Sequence, residues 1–84
     1  MNKKEIETLV LEAITVETGM PAESITMDKT MDALDIDSLS SMTIMVDASN
    51  KIEKLTGKRL PLVDVIPRES TIGETISAIE EMLA

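Results

Sequence analysis

The 84-residue sequence contains no cysteine, no histidine and no aromatic residue. Without cysteine, the chain has no thiolate nucleophile of its own, no disulfide framework and no thiolate ligands for zinc. Without histidine, it lacks the commonest general base at neutral pH. Without aromatic side chains, it has no platform on which nucleic-acid bases could stack. These absences indicate a binding or carrying module rather than an enzyme.

Positive charge is also scarce. Sixteen acidic residues against eight basic ones give a formal net charge of −8. This field repels polyanions such as nucleic acid and attracts a partner that has a basic docking surface. A chain of this length buries only roughly 60–65% of its unfolded surface, which leaves little room for a catalytic cleft. We expect residues 1–84 to form a single monomeric domain.

Long apolar runs are missing as well. Spanning a bilayer takes about 18 consecutive apolar residues, and no segment approaches that length. After the basic start of the chain, Glu5, Glu7 and Glu12 interrupt any stretch that could resemble a signal peptide. We therefore expect no membrane span and a cytoplasmic location.

The spacing of the apolar residues predicts an all-α fold, a bundle of four helices. Three of them are the main helices, and the one that comes third along the chain is short. N-cap residues and closing glycines mark the ends of these segments, with Asn2, Asp37 and Thr71 at the three starts. A T-x-x-E capping box at Thr71 and Glu74 opens the last helix. The main helices are expected over Lys3–Thr18, Ser38 to about Leu55 and Ile72–Leu83, and the short one within the proline-bracketed segment Leu60–Pro67.

Each main helix carries an apolar stripe that should face the core. The loop over residues 19–37 is also rich in apolar residues, so we expect Ile25, Met31 and Leu34 to plug one end of the bundle. The predicted stripes are Ile6, Leu9, Val10, Ala13, Ile14 and Val16 in the first helix, Ile44, Ala48, Ile52 and Leu55 in the second, and Ile72, Ile76, Ile79 and Leu83 in the last.

The second helix is apolar on two faces. Opposite its core stripe, Leu39, Met42 and Val46 recur at i, i+3 and i+7. With only three main helices available, both faces are difficult to bury. This pattern favours a docking face for a partner protein.

The head of the same helix reads Asp37-Ser38. A serine in the first turn of a helix lies beside unpaired backbone N–H groups and the positive end of the helix dipole. A phosphodiester attached there would be favoured electrostatically. Taken alone, the two residues indicate ordinary helix capping rather than a modification site.

The wider arrangement resembles the acyl carrier protein family over essentially the whole chain. The family pattern is L-G-x-D-S-L, and Leu34, Asp37, Ser38 and Leu39 stand in register with it. An amphipathic helix, a long loop with a proline turn at Pro21, and a Leu60-Pro61 junction complete the resemblance.

The resemblance implies that Ser38 carries 4′-phosphopantetheine, which a phosphopantetheinyl transferase (holo-synthase) transfers from coenzyme A. Asp37 would help to bind Mg²⁺ transiently during that transfer, and no permanent metal site is expected. The cargo would be held as a thioester on the arm's thiol and passed between acyl-transferring and ketosynthase-type enzymes. The partner-binding residues implied are Asp35, Asp37, Leu39, Met42, Val46 and Asp47.

Several residues depart from the family pattern. Asp35 replaces a glycine, Thr43 replaces a glutamate that binds partners, and Lys51 and Lys54 dilute the acidity of the second helix. Asp tolerates the left-handed backbone better than most residues. The pathway therefore stays open between fatty-acid and specialised polyketide-type biosynthesis. A peptidyl or D-alanyl carrier, and an unmodified helical adaptor that binds through the second helix, remain alternatives.

Overall fold

The computed structural model describes all 84 residues and contains four α-helices, with no strand. A single isolated bridge joins Thr30 to Thr71. Short 3₁₀ turns occur at Ala22–Ser24 and Asp32–Leu34 within the long loop. The helices are α1, Lys3–Thr18; α2, Ser38–Thr56; α3, Leu62–Val65; and α4, Ile72–Leu83. The all-α four-helix prediction is confirmed, and the bounds of α1 and α4 match the predicted ones.

The predicted N-caps are present at all three main helices. Asn2 and Thr71 each form a reciprocal capping box with the glutamate three residues later. Asp37 accepts a hydrogen bond from the N–H of Ser40 at 2.8 Å. Gly19 and Gly57 close α1 and α2 with φ of +77° and +75°, a left-handed backbone that residues with a Cβ rarely adopt. Local sequence signals therefore fix where the main helices begin and where α1 and α2 end.

The core lies where α1 packs on α2 and α4, while α3 packs on α2. The predicted stripes are largely confirmed, and two of their members are wrong. Val16 is 73% exposed in the last full turn of α1. Leu55 is 68% exposed because the last turn of α2 borders an open groove, which Met1 and Lys4 also line. The buried apolar residues of the helices are Ile6, Leu9, Val10, Ala13, Ile14, Ile44, Ala48, Ile52, Leu62, Ile72, Ile76 and Ile79.

The long loop closes one end of the bundle, as predicted. Ile25, Met31 and Ile36 are buried, and Leu34 packs against the core while partly buried. The loop also supplies acceptors for the start of α4, because the N–H of Ile72 donates to the Lys29 carbonyl at 2.9 Å. The N–H of the following residue, Gly73, donates to the Met27 carbonyl at the same distance. These hydrogen bonds satisfy N–H groups that a helix start would otherwise leave unpaired.

None of the four helices combines the length with the apolar content that crossing a membrane requires.

The contrast between Ile52 and Leu55 is testable by substitution. Ile52 is fully buried, so Ile52→Ala should lower the free energy of unfolding by about 2–5 kcal/mol through lost burial and the remaining cavity. The matched variant Leu55→Ala should change it by less than about 0.5 kcal/mol, since that side chain is mostly in solvent. Urea unfolding followed by circular dichroism measures both values. Equal losses would contradict the placement of Leu55 outside the core.

Candidate functional site

The start of α2 is built around the side chain of Asp37. Its backbone is extended, with φ of −73° and ψ of 173°, so the carboxylate reaches over the first turn. The hydrogen bond from the Ser40 N–H lowers the pKa of the Asp37 carboxyl below its ordinary value, and the positive charge of Arg68 contributes in the same direction. Asp37 is therefore an exposed carboxylate that the fold holds in its ionised form.

Ser38 follows as the first residue of α2, and its side chain is exposed. It also borders a cavity of about 160 Å³ between α2, α3 and the start of α4. The exposed hydroxyl is thus accessible from solvent, and it lies at the edge of a partly open cavity. The other lining residues are Met31, Ser41, Met42, Met45, Val63, Ile66, Pro67, Arg68, Ser70 and Thr75.

Arg68 ties the segment before α4 to the segment before α2. Its guanidinium donates a hydrogen bond to the Ile36 carbonyl at 3.1 Å, two residues before Ser38. The same group lies 3.9 Å from the Asp32 carboxylate. Because Arg68 also lines the cavity, it places a cation close to Ser38. Sequence reasoning missed this residue, although it is the last basic residue of the chain and stands alone after Arg59.

The second face of α2 lies in solvent, as its spacing predicts. Leu39 is 74% exposed, Met42 51% and Val46 44%. Val63 and Val65 of α3 are also exposed apolar residues on the helix that packs beside α2. Sequence reasoning did not include these two valines. We name Leu39, Met42 and Val46 the docking face.

The acidic residues proposed for partner binding are spread around this face. Asp47 is half-buried on α2, next to Val46 in sequence and about 100° further round the helix. Asp35 is exposed and has a left-handed backbone with φ of 60° and ψ of 29°. This conformation accounts for the glycine that the family pattern has at this position. No cluster of three or more acidic side chains is arranged to hold a metal ion.

Two buried hydroxyls line the cavity, and sequence reasoning missed both. Ser41 is 6% exposed and Thr75 is 2% exposed. Ser41 is one helical turn from Ser38, on the core side of α2. Its i+3 spacing from Ser38 was a sequence signal for this position, whereas the approach of Thr75 depends on how α4 packs.

The fold and this site define a small helical domain that presents an exposed serine at the start of its second helix. Residues 8–79 match the family model described as a phosphopantetheine attachment site. The chain is 38% identical to an acyl carrier protein of Kineococcus radiotolerans over 95% of this chain and 94% of that one. It is 45% identical to an acyl carrier protein of Beutenbergia cavernae over 93% of this chain and 90% of that one. No solved structure gives a significant match.

The chain therefore belongs to the acyl carrier protein family, the phosphopantetheine-attachment carriers. This confirms the resemblance and the expected prosthetic group, 4′-phosphopantetheine. Members of this family act as carriers rather than as catalysts.

The lowered pKa of Asp37 makes a pH prediction. A carboxyl whose folded pKa is depressed stabilises the fold above its unfolded pKa, and this contribution disappears as the pH falls through the folded value. Carboxyl ¹³C NMR should therefore give a titration midpoint for Asp37 below 3.8. In denaturation experiments, the stability advantage of the parent over Asp37→Asn should shrink as the pH drops below 3.8. A midpoint at or above 3.8 would contradict the capping geometry.

Proposed function

We propose that this acyl carrier protein is modified on Ser38 and carries acyl groups for fatty-acid or specialised polyketide-type biosynthesis. The observation that carries the proposal is the exposed Ser38 side chain at the start of α2, at the rim of a partly open cavity. Of the three serines in the first turns of α2, Ser38 is exposed, Ser40 is half-buried and Ser41 is buried. Accessibility therefore favours Ser38 as the attachment residue.

The surroundings of Ser38 suit a phosphodiester. The first N–H groups of α2 have no acceptor within the helix, and they lie at the positive end of a 19-residue helix dipole. Arg68 adds a guanidinium beside the same cavity. When bound, the phosphopantetheine group supplies the thiol on which an acyl group is held as a thioester. These features would hold its phosphate at the start of α2.

Asp37 would assist the modifying enzyme. Its carboxylate is exposed, ionised and adjacent to the modified serine. A single exposed carboxylate does not make a permanent metal site, but it can share a Mg²⁺ ion with a transferase that supplies the remaining oxygen ligands. We assign Asp37 this transient role in the transfer of phosphopantetheine from coenzyme A.

The docking face of α2 would bind the partner enzymes. These are the phosphopantetheinyl transferase and the acyl-transferring and ketosynthase-type enzymes. Leu39, Met42 and Val46 offer apolar contacts, while Asp35 and Asp47 add negative charge that would steer a basic partner surface toward them. The half-exposed Lys51, paired at 3.9 Å with Glu12, lies on the far half of α2 and does not interrupt this surface.

We further propose that residues 1–84 act as one monomeric, non-catalytic domain in the cytoplasm. The single hydrophobic core contains residues from the long loop and from all four helices, which supports one cooperative unit. The pathway is suggested by four positions that depart from the family pattern, Asp35, Thr43, Lys51 and Lys54. They favour partners other than those of an ordinary fatty-acid carrier. The polyketide-type role rests on these four positions.

Incubation with coenzyme A and a broad-specificity phosphopantetheinyl transferase tests the attachment residue. Intact-protein mass spectrometry should show the addition of one phosphopantetheinyl group to the parent, and peptide fragmentation should place it on Ser38. Ser38→Ala should gain no mass, whereas Ser40→Ala should still be modified because its backbone N–H keeps the bond to Asp37. Circular dichroism should show that both variants are folded. Modification of Ser38→Ala would refute the assignment.

The docking face is tested by adding charge to two exposed valines. Val46→Glu should reduce modification at limiting transferase by about fivefold or more, because desolvating a carboxylate among apolar interface contacts costs at least about 1 kcal/mol. Val16→Glu is the matched control because Val16 is exposed on α1, away from α2. This control should be modified at the parent rate, and both variants should melt near the parent temperature.

Equal rates for Val46→Glu and Val16→Glu would exclude the docking face from transferase binding. If a partner other than the transferase instead binds Ser38→Ala as tightly as it binds the modified chain, the adaptor function is favoured over the carrier function.

A further inference from the structure

The Ser41 hydroxyl is the one buried side-chain polar atom without a hydrogen-bond partner. It lies in the wall of the cavity whose rim contains Ser38. Leaving a buried hydroxyl unpaired is unfavourable, because its hydration is lost with nothing in exchange. Alanine would fill the same place on the helix without this penalty, as Ala48 does on the same face of α2. A hydroxyl in this position therefore needs a physical reason.

Thr75 faces the same cavity from α4. Its hydroxyl donates to the Thr71 carbonyl at 3.0 Å, so the hydrogen is used and the oxygen can still accept. Ser41 on α2 can both donate and accept. Two buried hydroxyls from two helices thus give the inner wall one free donor and two acceptors.

The rest of the wall is mainly apolar. Met31, Met45 and Ile66 line it on the inner side. A cavity of about 150 Å³ in another protein takes up benzene, so a volume of about 160 Å³ suits roughly six non-hydrogen atoms. The wall therefore fits a short hydrocarbon segment that bears an oxygen. A long saturated chain would need the helices to separate and would leave Ser41 unpaired.

We propose that Ser41 selects a short acyl cargo that carries an oxygen beyond the thioester carbonyl, such as a 3-hydroxyacyl or 3-oxoacyl group. Ser41 donates a hydrogen bond to that oxygen, and Thr75 accepts one where the cargo has a hydroxyl. This specificity rests on the proposed attachment to Ser38. It makes Ser41 a specificity-determining residue within the carrier role.

The carrier arm has oxygens of its own, which are a second source of the same chemistry. Each of its amides brings a donor and an acceptor together, whereas the inner side of the wall beside Ser41 is apolar and is formed by Met31, Met45 and Ile66. One oxygen on a hydrocarbon segment matches this wall better than an amide does. The test therefore includes the arm without cargo.

The experiment compares four forms of the full chain: the unacylated arm, and arms that carry butanoyl, 3-hydroxybutanoyl or octanoyl groups. Mass spectrometry first confirms each form, so failure to modify Ser38 would refute the attachment itself and be seen before any cargo is compared. Amide ¹H–¹⁵N spectra then report on Ser41 and Thr75. The 3-hydroxybutanoyl form should give the largest shifts at both residues. Relative to its free coenzyme A thioester, the 3-hydroxybutanoyl form should also be protected from hydrolysis more than the butanoyl form is, by a factor of roughly two to ten for one net hydrogen bond.

Ser41→Ala supplies the decisive comparison. In this variant the 3-hydroxybutanoyl and butanoyl forms should be protected equally, each relative to its free coenzyme A thioester, and the unacylated protein should melt no lower than the parent. Ser49→Ala, which removes a hydroxyl from α2 outside the cavity, should keep the parent's difference.

Three results would overturn the proposal. Equal protection of the butanoyl and 3-hydroxybutanoyl forms in the parent would show that Ser41 does not recognise the hydroxyl of the cargo. Stronger protection of the octanoyl form would show that the cavity selects a long apolar chain. If the amide signal of Ser41 has already shifted fully in the unacylated form, the hydrogen bond is made by the arm and not by the cargo.

Discussion

The rotation of α2 about its own axis is the constraint on which the site depends. Ile44, Ala48 and Ile52 are fully buried, and their i, i+4, i+8 spacing lets the helix face the core in one orientation only. With that face fixed, Ser38 and the docking face must point outward, and Ser41 must point inward. Rotating the helix to bury Leu39 would expose three core residues, each worth roughly 1–3 kcal/mol of burial.

The long loop then sets where α2 begins. Burial of Met31 and Ile36 holds the loop against the bundle, and Arg68 holds the Ile36 carbonyl from the other side. Asp35 turns the chain through a left-handed conformation between these anchors. These contacts place Asp37 at the N-cap position and make Ser38 the first residue of α2. A loop without these anchors would leave the start of α2 free to fray, and the serine would lose its fixed position above the cavity.

The sequence predicted most of the fold because its signals are local. Caps at Asn2, Asp37 and Thr71 and closing glycines fixed the helix ends, and apolar spacing identified the core. Val16 and Leu55 were misplaced because periodicity assumes close packing along the whole helix, whereas these two side chains lie mostly in solvent near the ends of their helices. Arg68 and Thr75 were missed because they reach the cavity beside Ser38 only when α2, α3 and α4 pack together.

The site also shows how a small core can combine stability with cargo binding. Its fully buried residues are almost all aliphatic, and the polar exceptions, Ser41 and Thr75, are found together at the cavity beside Ser38. Thr75 compensates its burial by bonding within its own helix, but Ser41 does not. If the unpaired hydroxyl served packing alone, any position on the core face of α2 would have been equally suitable. The unpaired Ser41 hydroxyl instead lies one helical turn from Ser38, the residue of the proposed attachment.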